Sequence, residues 1–364
     1  MKIYFFIGTT TELIKLSPII HELETRRIKF KIITSGQAKV NFDELAFYIQ
    51  KKSADIPLGE KVDKSSTTLF LFWFIKSIFS ILTLRAEFKN SNKSNTCFIV
   101  HGDPVSSLVG AFTARLYGLK LVHIESGLRS FNYLEPFPEE ICRVIISKLA
   151  DMHFCPNEWA LENLSGVKAD SKINTFQNTQ AEAFFAALNE NSDYKKDLDM
   201  EKKKYFVLIV HRQEHVIFGK DEMKRIVGFI LKNIDKNMVC VFITHATTKN
   251  FLISSGFDLD SKEYQNVKFV PRLKYTQFVN LLSKAEFLMT DGGTNQEEAY
   301  LMGVPCLLLR NVTERVEGLG ENAVLSKNKK RIIKDFMRTY KRYKRNRIKI
   351  KVRPEKIVVD QLVR

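Results

Sequence analysis

The stretch AEFLMTDGGTNQEEAYLMGVPCLLLR, residues 285–310, contains two short apolar runs separated by a polar segment of helical length. Short apolar runs that end in glycine or a polar residue are typical of buried parallel strands, and the segment between them predicts a helical crossover. The first run ends in Asp291, Gly292 and Gly293. A strand that enters a helix through two glycines presents backbone N–H groups that suit a phosphate. The stretch therefore predicts two parallel strands joined by a helix, with an anion-binding turn, although tight turns also use Gly-Gly.

The same alternation of apolar runs and helix-length segments extends over most of the 364 residues. Around 165–200 the sequence becomes polar, and the pattern then starts again. A chain of this length exceeds one compact core of ordinary size. We therefore expect two doubly wound α/β halves joined near 170–180, with strands at 2–8, 30–36, 95–103, 119–127, 205–211, 238–245, 267–271, 285–293 and 304–310.

The composition, 45% hydrophobic and 27% charged, is typical of a soluble globular protein. The first residues, MKIYFFIG, fit a buried strand better than a signal peptide. The five cysteines are odd in number and occur singly, so neither disulfides nor a structural zinc site is expected. These features together predict a cytoplasmic protein.

The positive charge of the chain is concentrated near its C-terminus. The formal net charge is +16, and residues 327–353 hold fourteen Lys or Arg against one Asp. Such a run is most often a solvated helix face; an anionic membrane surface is the next interpretation, and nucleic acid the last. We therefore expect no nucleic-acid partner, while peripheral membrane contact through the basic segment stays open.

A second stretch also bears on membranes. Residues 67–84, TTLFLFWFIKSIFSILTL, are strongly apolar and aromatic but carry Lys76 in the middle. Their length is only marginal for crossing a bilayer. We favour burial against a sheet or a partner subunit over membrane contact, and we expect a homodimer.

Polar residues follow many of the expected strands. In open parallel sheets, ligands bind outside the carboxyl ends of the strands. Four of the seven histidines lie on or at the end of an expected strand. Together with neighbouring acids and glycines they predict a ligand cleft between the two halves, and these strand-end groups are Gly8–Thr10, Ser35–Gln37, His101–Asp103, His123, Glu125–Gly127, His211, Arg212, Thr244, His245 and Asp291–Gly293.

An ordered series of motifs resembles those of bacterial UDP-N-acetylglucosamine 2-epimerases over roughly residues 1–325. The resemblance implies the GT-B fold, in which two Rossmann-like domains hold the nucleotide sugar between them. The motifs are GTTTELIKLSPII (8–20), HGDPVSSLVGA (101–111), HIESGLRSFN (123–132), PFPEEICRVI (136–145), HFCPNEWA (153–160), QNTQAEA (177–183), VHRQEH (210–215), LKYTQFVNLL (273–282) and the stretch at 290–315.

The resemblance also implies a division of the chain. We expect an N-terminal Rossmann-like domain at 1–172 and a UDP-binding Rossmann-like domain at 173–330. A basic C-terminal segment, 331–364, would return to the N-terminal domain.

The reaction implied by the resemblance inverts C2 of the sugar. UDP is eliminated in anti fashion through a 2-acetamidoglucal and is then added again to the opposite face. Removing and returning the C2 proton needs positioned carboxylates. Asp103, Glu125 and Glu139 match the family's catalytic carboxylates, and His211 matches its histidine near the diphosphate, where a cation would stabilise the leaving group. Neither a cofactor nor a metal is implied, and the substrate would be a UDP-sugar.

Further residues match the family's substrate-binding positions. Glu298, about one turn after the glycines, could accept hydrogen bonds from ribose hydroxyls. The resemblance implies contacts with phosphate, ribose, uracil or the sugar for Lys15, Arg143, His245, Phe278, Gly292, Gly293, Thr294, Glu298 and Arg315.

Several positions depart from the family pattern. Thr10 and Thr11 stand where the family has an arginine near the diphosphate and a proline, and losing that cation should weaken leaving-group stabilisation. Ala38 stands in place of a histidine, and the segment after it lacks the family's usual glutamine and arginine of the effector site. His215 stands in place of an asparagine. Activation by substrate is therefore not expected to be retained.

Three interpretations remain open at this point. The first is an epimerase, in a non-hydrolysing form or in a form that releases free N-acetylmannosamine and UDP. The second is a GT-B glycosyltransferase acting on a lipid-linked acceptor. The third, a binding protein with a degenerate site, is disfavoured because four separated polar groups are kept at strand ends.

Overall fold

The structure is a computed structural model that describes residues 1–59, 67–190, 192, 194–198, 200, 203–210 and 220–364. The chain divides into two compact units. Unit 1 comprises Met1–Ala186 and Ile350–Arg364, and unit 2 comprises Ala187–Lys349.

Unit 1 is built on a parallel sheet of seven strands in the order β3-β2-β1-β4-β5-β6-β7. The direction in which strands are added reverses between β1 and β4, and ligands bind at such a switch point. The strands are β1 (Lys2–Ile7), β2 (Lys31–Thr34), β3 (Ile56–Pro57), β4 (Thr96–His101), β5 (Lys120–Ile124), β6 (Met152–Cys155) and β7 (Ser171–Asn174).

Unit 2 repeats this arrangement with six parallel strands in the order β10-β9-β8-β11-β12-β13. The expectation of two doubly wound α/β halves is therefore confirmed. The strands are β8 (Lys204–Ile209), β9 (Met238–Ile243), β10 (Val267–Val270), β11 (Leu288–Thr290), β12 (Cys306–Leu308) and β13 (Ala323–Leu325).

Helices connect the strands in both units. They are α1 (Thr10–Thr25), α2 (Thr67–Ser80), α3 (Arg85–Phe88), α4 (Val105–Leu116), α5 (Glu139–Leu149), α6 (Glu158–Glu162), α7 (Gln180–Asn189), α8 (Tyr194–Asp197), α9 (Lys220–Lys232), α10 (Ala246–Ser254), α11 (Tyr275–Ser283), α12 (Gly293–Met302), α13 (Lys330–Thr339) and α14 (Pro354–Leu362). Single 3-10 turns lie at Phe42–Leu45, Ile81–Leu84, Lys262–Tyr264 and Tyr340–Tyr343.

Each unit has its own apolar core, because strands covered by helices on both faces must be apolar throughout. In unit 1, Phe6 and Phe98 of the sheet pack with helical residues such as Ile146. In unit 2, Phe287, which directly precedes β11, packs with Phe336 of α13.

The units divide at other residues than the 172–173 and 330–331 boundaries expected from the sequence. The first expected boundary falls inside β7, which pairs with β6 and so belongs to the first sheet. The second falls at the start of α13, whose Ile333 and Phe336 are buried in the core of unit 2. Only Ile350–Arg364 belong to unit 1, where Arg26 on α1 pairs with Asp360 on α14 at 2.5 Å.

The apolar stretch 67–84 forms α2 and the 3-10 turn that follows it. Trp73, Ile81 and Leu84 are buried in the core of unit 1, whereas Phe79 and Leu82 are 65% and 56% exposed. No helix among the described residues is both long enough and apolar enough to cross a membrane.

The basic segment 327–353 is structured but entirely solvated on its charged side. All fourteen of its Lys and Arg residues are exposed, and its buried residues are apolar or uncharged. The segment consists of α13, a 3-10 turn and an extended stretch leading to α14. Arg353 forms ion pairs with Glu182 and Glu355. The segment as a whole presents many exposed positive charges.

Candidate active site

A buried ion pair lies at the carboxyl ends of the strands of unit 1. Lys15 of α1 donates from Nζ to both carboxylate oxygens of Glu125, at 2.9 and 2.8 Å. Asn178 donates a further hydrogen bond from Nδ2 to Glu125 Oε2. Lys15 and Glu125 are only 5% and 6% exposed, so the carboxylate is held by three donated hydrogen bonds in a largely dry setting.

The backbone at Glu125 is strained. Its φ is +60°, in the left-handed region that residues with a Cβ seldom adopt. Flanking hydrogen bonds hold this conformation: Gly102 N–H donates to Ile124 O, and Ser126 N–H donates to Phe154 O, both at 2.9 Å. A strained residue persists where its surroundings over-determine it, which is common at functional sites.

Asp103 lies one strand away and has a cation of its own. It follows β4 and accepts a hydrogen bond from Arg143 Nη2 of α5. Arg143 also donates from Nη1 to the fully buried Glu140 at 3.0 Å, and Arg129 Nε donates to Glu140 at 2.6 Å. The Asp103 side chain remains 24% exposed, so it is the accessible member of this network.

Glu139 begins α5 and is half-buried. Burial raises the pKa of the Cys142 thiol to about 12, and the charges of Asp103 and Glu139 add to this rise. Ion pairs bring Lys15 to Glu125 and Arg143 to Asp103 in unit 1, and Glu139 adjoins Glu140, the second partner of Arg143. Of these residues, Lys15, Asp103, Glu125, Glu139 and Arg143 were expected at the site.

Glu12 anchors the turn after β1. Its carboxylate accepts hydrogen bonds from Gly8 N–H at 2.9 Å, from Thr9 Oγ1 at 3.0 Å, and from Ser106 and Ser107 at the start of α4. Complete burial raises the pKa of Glu12 to about 7, while these donors oppose the rise. Glu12 therefore ties the β1 turn to α4.

Thr10, where the family has an arginine, is buried and faces the next loop. Asn41 N–H donates to Thr10 Oγ1 at 3.0 Å, and Thr10 Oγ1 donates to Lys39 O at 3.3 Å. The side chain is 4% exposed. Thr10 thus holds the 39–41 loop in place.

Two of the strand-end histidines of unit 1 are buried and neutral. Burial lowers the pKa of His101 to about 3 and that of His123 to about 4. His123 Nε2 lies 2.8 Å from Gly102 O, next to Asp103. These histidines do not carry positive charge at neutral pH. His123 is held by hydrogen bonds, whereas His101 Nε2 is buried without a hydrogen-bond partner among the described residues.

Unit 2 presents a different group at its strand ends, the first turn of α12. Gly292 precedes the helix, and its N–H donates to Thr290 Oγ1 at 2.9 Å. Gly293 starts the helix, and Thr294 is half-buried. The N–H groups of a first helical turn have no partner within the helix, so they can bind an anion together with the helix dipole.

Two buried ion pairs pack behind this turn. Arg315 Nη1 donates to Glu297 at 2.6 Å, and Arg310 Nη2 donates to Glu314 at 2.7 Å. A Cβ on Gly293 would lie 2.5 Å from Glu314 Oε1 and 3.1 Å from Arg315 Nε. The helix start can therefore approach these pairs only because residue 293 is glycine.

Glu298 lies on α12 one turn further on. It is 2% exposed and accepts a hydrogen bond from Asn295 Nδ2 at 2.9 Å. Asn295 Oδ1 in turn lies 3.3 Å from Thr290 Oγ1. The side chain of Asn295 thus links Glu298 to the end of β11.

Other expected site residues of unit 2 are less closely grouped. His245 precedes α10 at the end of β9 and is half-buried. Phe278 lies on α11 and is 9% exposed. His211 and His215 lie outside the described residues. Within the described ranges, no three His, Cys, Asp or Glu side chains are grouped as metal ligands would be.

Two residues of the unit 1 site were not singled out from the sequence. Asn178 lies in the quoted QNTQAEA motif, but nothing in that motif indicates a contact with Glu125. Glu140 follows Glu139 in the PEE triplet, and the sequence pattern alone does not separate their roles. Arg143, three residues after Glu140 and four after Glu139, is compatible with either partner.

Comparison with known proteins agrees with this arrangement. A family model described as UDP-N-acetylglucosamine 2-epimerase matches residues 22–354. The chain is 30% identical over 348 residues to a UDP-N-acetylglucosamine 2-epimerase homolog of Methanococcus maripaludis, covering 92% of each chain. It is 31% identical over 350 residues to the UDP-N-acetylglucosamine 2-epimerase of Methanocaldococcus jannaschii, covering 92% of this chain and 91% of that one.

Solved structures give the same result. The crystal structure of the Methanocaldococcus jannaschii enzyme in complex with UDP-GlcNAc and UDP matches with a TM-score of 0.83 and 27% identity over the whole of both chains. A Neisseria meningitidis UDP-GlcNAc 2-epimerase bound to UDP-GlcNAc matches equally well, at 0.83 and 27%. The two Rossmann-like units are those of the GT-B fold. The chain belongs to the UDP-N-acetylglucosamine 2-epimerase family.

Proposed function

We propose that this protein is an isomerase that epimerises C2 of UDP-N-acetylglucosamine, giving UDP-N-acetylmannosamine. The observation that carries the proposal is the group of acids at the carboxyl ends of adjacent strands in unit 1. Glu125 and Asp103 each have a basic partner, and Glu139 begins α5, four residues before the Arg143 that binds Asp103. Proton transfer at an unactivated carbon needs such positioned carboxylates.

The proposed reaction has two balanced halves. A carboxylate takes the proton from C2, the C2 electron pair forms the C1–C2 double bond, and the C1–oxygen bond breaks to release UDP. In the second half UDP oxygen bonds to C1 again, while a carboxylic acid returns a proton to the opposite face of C2. No net charge, electron or proton is gained, so no external reactant is required.

Lys15 has a specific part in this scheme. In the structure its ammonium nitrogen lies 2.8–2.9 Å from the two carboxylate oxygens of Glu125. A diphosphate that draws Lys15 toward itself would weaken this pair, and Glu125 would then become a stronger base. Binding of the leaving group and activation of the base would thereby be coupled.

Unit 2 supports the proposal as the nucleotide-binding part. The first turn of α12, at Gly292, Gly293 and Thr294, suits the diphosphate, and Glu298 suits the ribose hydroxyls. Arg315 contributes positive charge beside the turn, shared with Glu297. His211, His245 and Phe278 are assigned to the diphosphate and the uridine by their match to the family motifs.

The test is to incubate the purified protein with UDP-GlcNAc and to identify the products by proton and phosphorus NMR. The proposal requires UDP-ManNAc as the product, with the diphosphate retained. Release of ManNAc and UDP would instead identify a hydrolysing enzyme. No conversion without an added lipid-linked acceptor, together with transfer when one is supplied, would identify a glycosyltransferase and overturn the proposal.

The proposed product is a precursor for cell-surface polysaccharides such as capsule or O-antigen. We place the protein in the cytoplasm, where nucleotide sugars are available. The five cysteines support this placement because all are buried and free. Fractionation that recovers the protein only outside the cytoplasm would contradict it.

We further propose a homodimer formed through an apolar face of unit 1. Tyr117 at the end of α4 donates to Ile81 O at 2.8 Å, so α4 and the 3-10 turn after α2 are neighbours. Their outward side carries exposed apolar residues: Ile75, Ile78, Phe79, Leu82, Phe112 and Leu116. Exposed apolar residues grouped on neighbouring elements often mark contact sites. Light scattering should give a dimer for the wild type and a monomer for Phe79→Lys; a monomeric wild type would exclude this interface.

We also propose that the basic segment 327–353 contacts anionic membrane surfaces. Each exposed Lys or Arg near such a surface adds about 1 kcal/mol, and screening removes the effect near molar salt. Sedimentation with vesicles should rise with their anionic lipid content and disappear at high salt. Lack of sedimentation at low salt would leave the segment as a solvated face, and stronger binding to nucleic acid than to vesicles would also contradict the proposal.

A further inference from the structure

Three buried side chains behind the unit 1 carboxylates form a continuous hydrogen-bonded row. His123 on β5 and His153 on β6 are register partners in the sheet. The hydroxyl of Ser126 lies between them, 2.9 Å from His123 Nδ1 and 2.8 Å from His153 Nδ1. All three are at most 1% exposed, so water does not compete for these hydrogen bonds.

The direction of each hydrogen bond follows from chemistry. A carbonyl oxygen only accepts, so His123 Nε2 must carry the proton that points to Gly102 O at 2.8 Å. Burial lowers the pKa of His123 to about 4, and the ring is therefore neutral with a bare Nδ1. That nitrogen accepts the only proton of Ser126. The Ser126 oxygen can then accept from His153, which must carry its proton on Nδ1.

His153 fits this end of the row. Burial lowers the pKa of His153 to about 3, so this ring is neutral as well. Its Nε2 is buried and has no hydrogen-bond partner among the described residues. With the proton on Nδ1, His153 Nε2 is an unprotonated nitrogen. The other tautomer would bury an N–H donor there without an acceptor, which costs more free energy.

The row ends at the backbone that carries the reacting groups. Gly102 precedes Asp103, and a Cβ on Gly102 would lie 3.3 Å from Glu125 Oε1. Ser126 follows Glu125, whose φ of +60° is held by backbone hydrogen bonds on both sides. The row therefore contacts the backbone next to both carboxylates: His123 binds Gly102 O, and Ser126 directly follows Glu125.

We propose that His123, Ser126 and His153 form a positioning relay that holds the Gly102–Asp103 turn and the strained Glu125 in place for proton transfer. This inference rests on the proposed function, since the two carboxylates perform the chemistry. None of the three residues is a catalytic residue, because none contacts the reacting atoms. Their contribution is geometric, and misplacement of reacting groups by about 1 Å can reduce rates by about a hundredfold.

The variants separate geometry from folding. His123→Leu removes the donor to Gly102 O, whereas His123→Gln can keep an N–H near the Nε2 position. We expect His123→Leu to lower kcat by at least about tenfold with KM changed less than about threefold, and His123→Gln to recover most of the loss. Ser126→Ala, the mildest change, should give an intermediate kcat and still fold. Equal kcat per folded molecule in His123→Leu and the wild type would overturn the relay.

Tautomers provide a readout that does not depend on activity. Long-range proton–nitrogen NMR of histidine-labelled protein should show Nε2–H for His123 and Nδ1–H for His153. In Ser126→Ala, His123 should stay Nε2–H because Gly102 O remains its acceptor, whereas His153 should show a mixed population. The opposite tautomer at His123 in the wild type would overturn the relay. If the wild type fails to convert UDP-GlcNAc, the proposed function fails, and the tautomers alone then decide whether the relay exists.

Discussion

The two units have the same strand order around the switch point but differ in the chemical groups at their strand ends. In unit 1 the groups proposed for the chemistry are acids, Asp103 and Glu125, each held by one basic side chain. In unit 2 the acids Glu297 and Glu314 lie behind the turn and are matched by arginines, and the strand end leads into the first turn of α12, whose N–H groups have no partner within the helix. The first arrangement suits proton transfer, and the second suits an anion. One architecture therefore supports two kinds of chemistry through the residues after each strand.

The largest effect should come from removing charge from the unit 1 acids. Asp103→Asn, Glu125→Gln and Glu139→Gln should each reduce turnover by about 10²–10⁴-fold, the range of general acid–base catalysis. UDP affinity, measured by calorimetry, should stay nearly unchanged because the proposal assigns the nucleotide contacts to unit 2. The exposed Glu162→Gln is the matched control. If all three variants lose stability but keep turnover per folded molecule, the acids are structural ion-pair partners.

Glu12 gives the next effect, a pH dependence of stability. Its pKa is raised from 4.5 to about 7 in the folded state, so its contribution is fully present below pH 4.5 and is lost as pH rises through 7. Relative to Glu12→Gln, the wild type should lose about 3 kcal/mol of unfolding free energy over this interval. Urea unfolding of both proteins from pH 4.5 to 8 measures the difference. Parallel curves would show that the carboxyl stays ionised when buried.

Gly293→Ala tests unit 2 in the reverse sense. The added Cβ would lie 2.5 Å from Glu314 Oε1, so the start of α12 must shift away from the ion pairs behind it. We expect UDP affinity to fall by about tenfold, the scale of a 1–3 kcal/mol overpacking strain. Turnover at saturating substrate should change much less. A loss of turnover with normal UDP affinity would contradict the assignment of nucleotide binding to unit 2 and proton transfer to unit 1.

The smallest effect is expected at Thr10. Replacing it with valine removes two hydrogen bonds to the 39–41 loop at nearly constant volume, which should cost about 1 kcal/mol of unfolding free energy. Thr10→Ser should retain most of it. Thr10→Arg should disturb the loop, because the position is 4% exposed and has no room for a guanidinium. An active, equally stable Thr10→Arg enzyme would show that the loop moves aside.

Much of the fold was predictable because buried parallel strands are apolar throughout. All nine expected strands are present. The four that were not expected, β3, β6, β7 and β13, contain two to four residues, and β7 is only half-buried at every position. β3, β7 and β13 are short edge strands, which carry too little hydrophobic pattern to be distinguished from loops, and the expected domain boundary consequently fell inside β7. β6 is an inner, fully buried strand, but its four residues are too few to show a pattern.

The site was predictable where it depends on strand ends and not where it depends on long-range contacts. Asp103 and Glu125 follow β4 and β5, so the topology alone brings them near each other. Asn178 reaches Glu125 across 53 positions in sequence, and nothing local indicates this. Glu140 is buried and Glu139 is half-buried because α5 turns only Glu140 toward the interior. Two adjacent glutamates in a sequence do not show which of them the helix will bury.

The most direct test of the account is exchange at C2 in deuterated water. Elimination and re-addition must return a solvent-derived proton to C2, so NMR should show deuterium at C2 of the product UDP-ManNAc. Deuterium should accumulate at C2 with the wild type and with Glu162→Gln. With Glu125→Gln the rate of incorporation should be reduced about 10²-fold or more. UDP-ManNAc formed with hydrogen retained at C2 would contradict the central claim, because the carboxylates of unit 1 would then not exchange the proton with solvent.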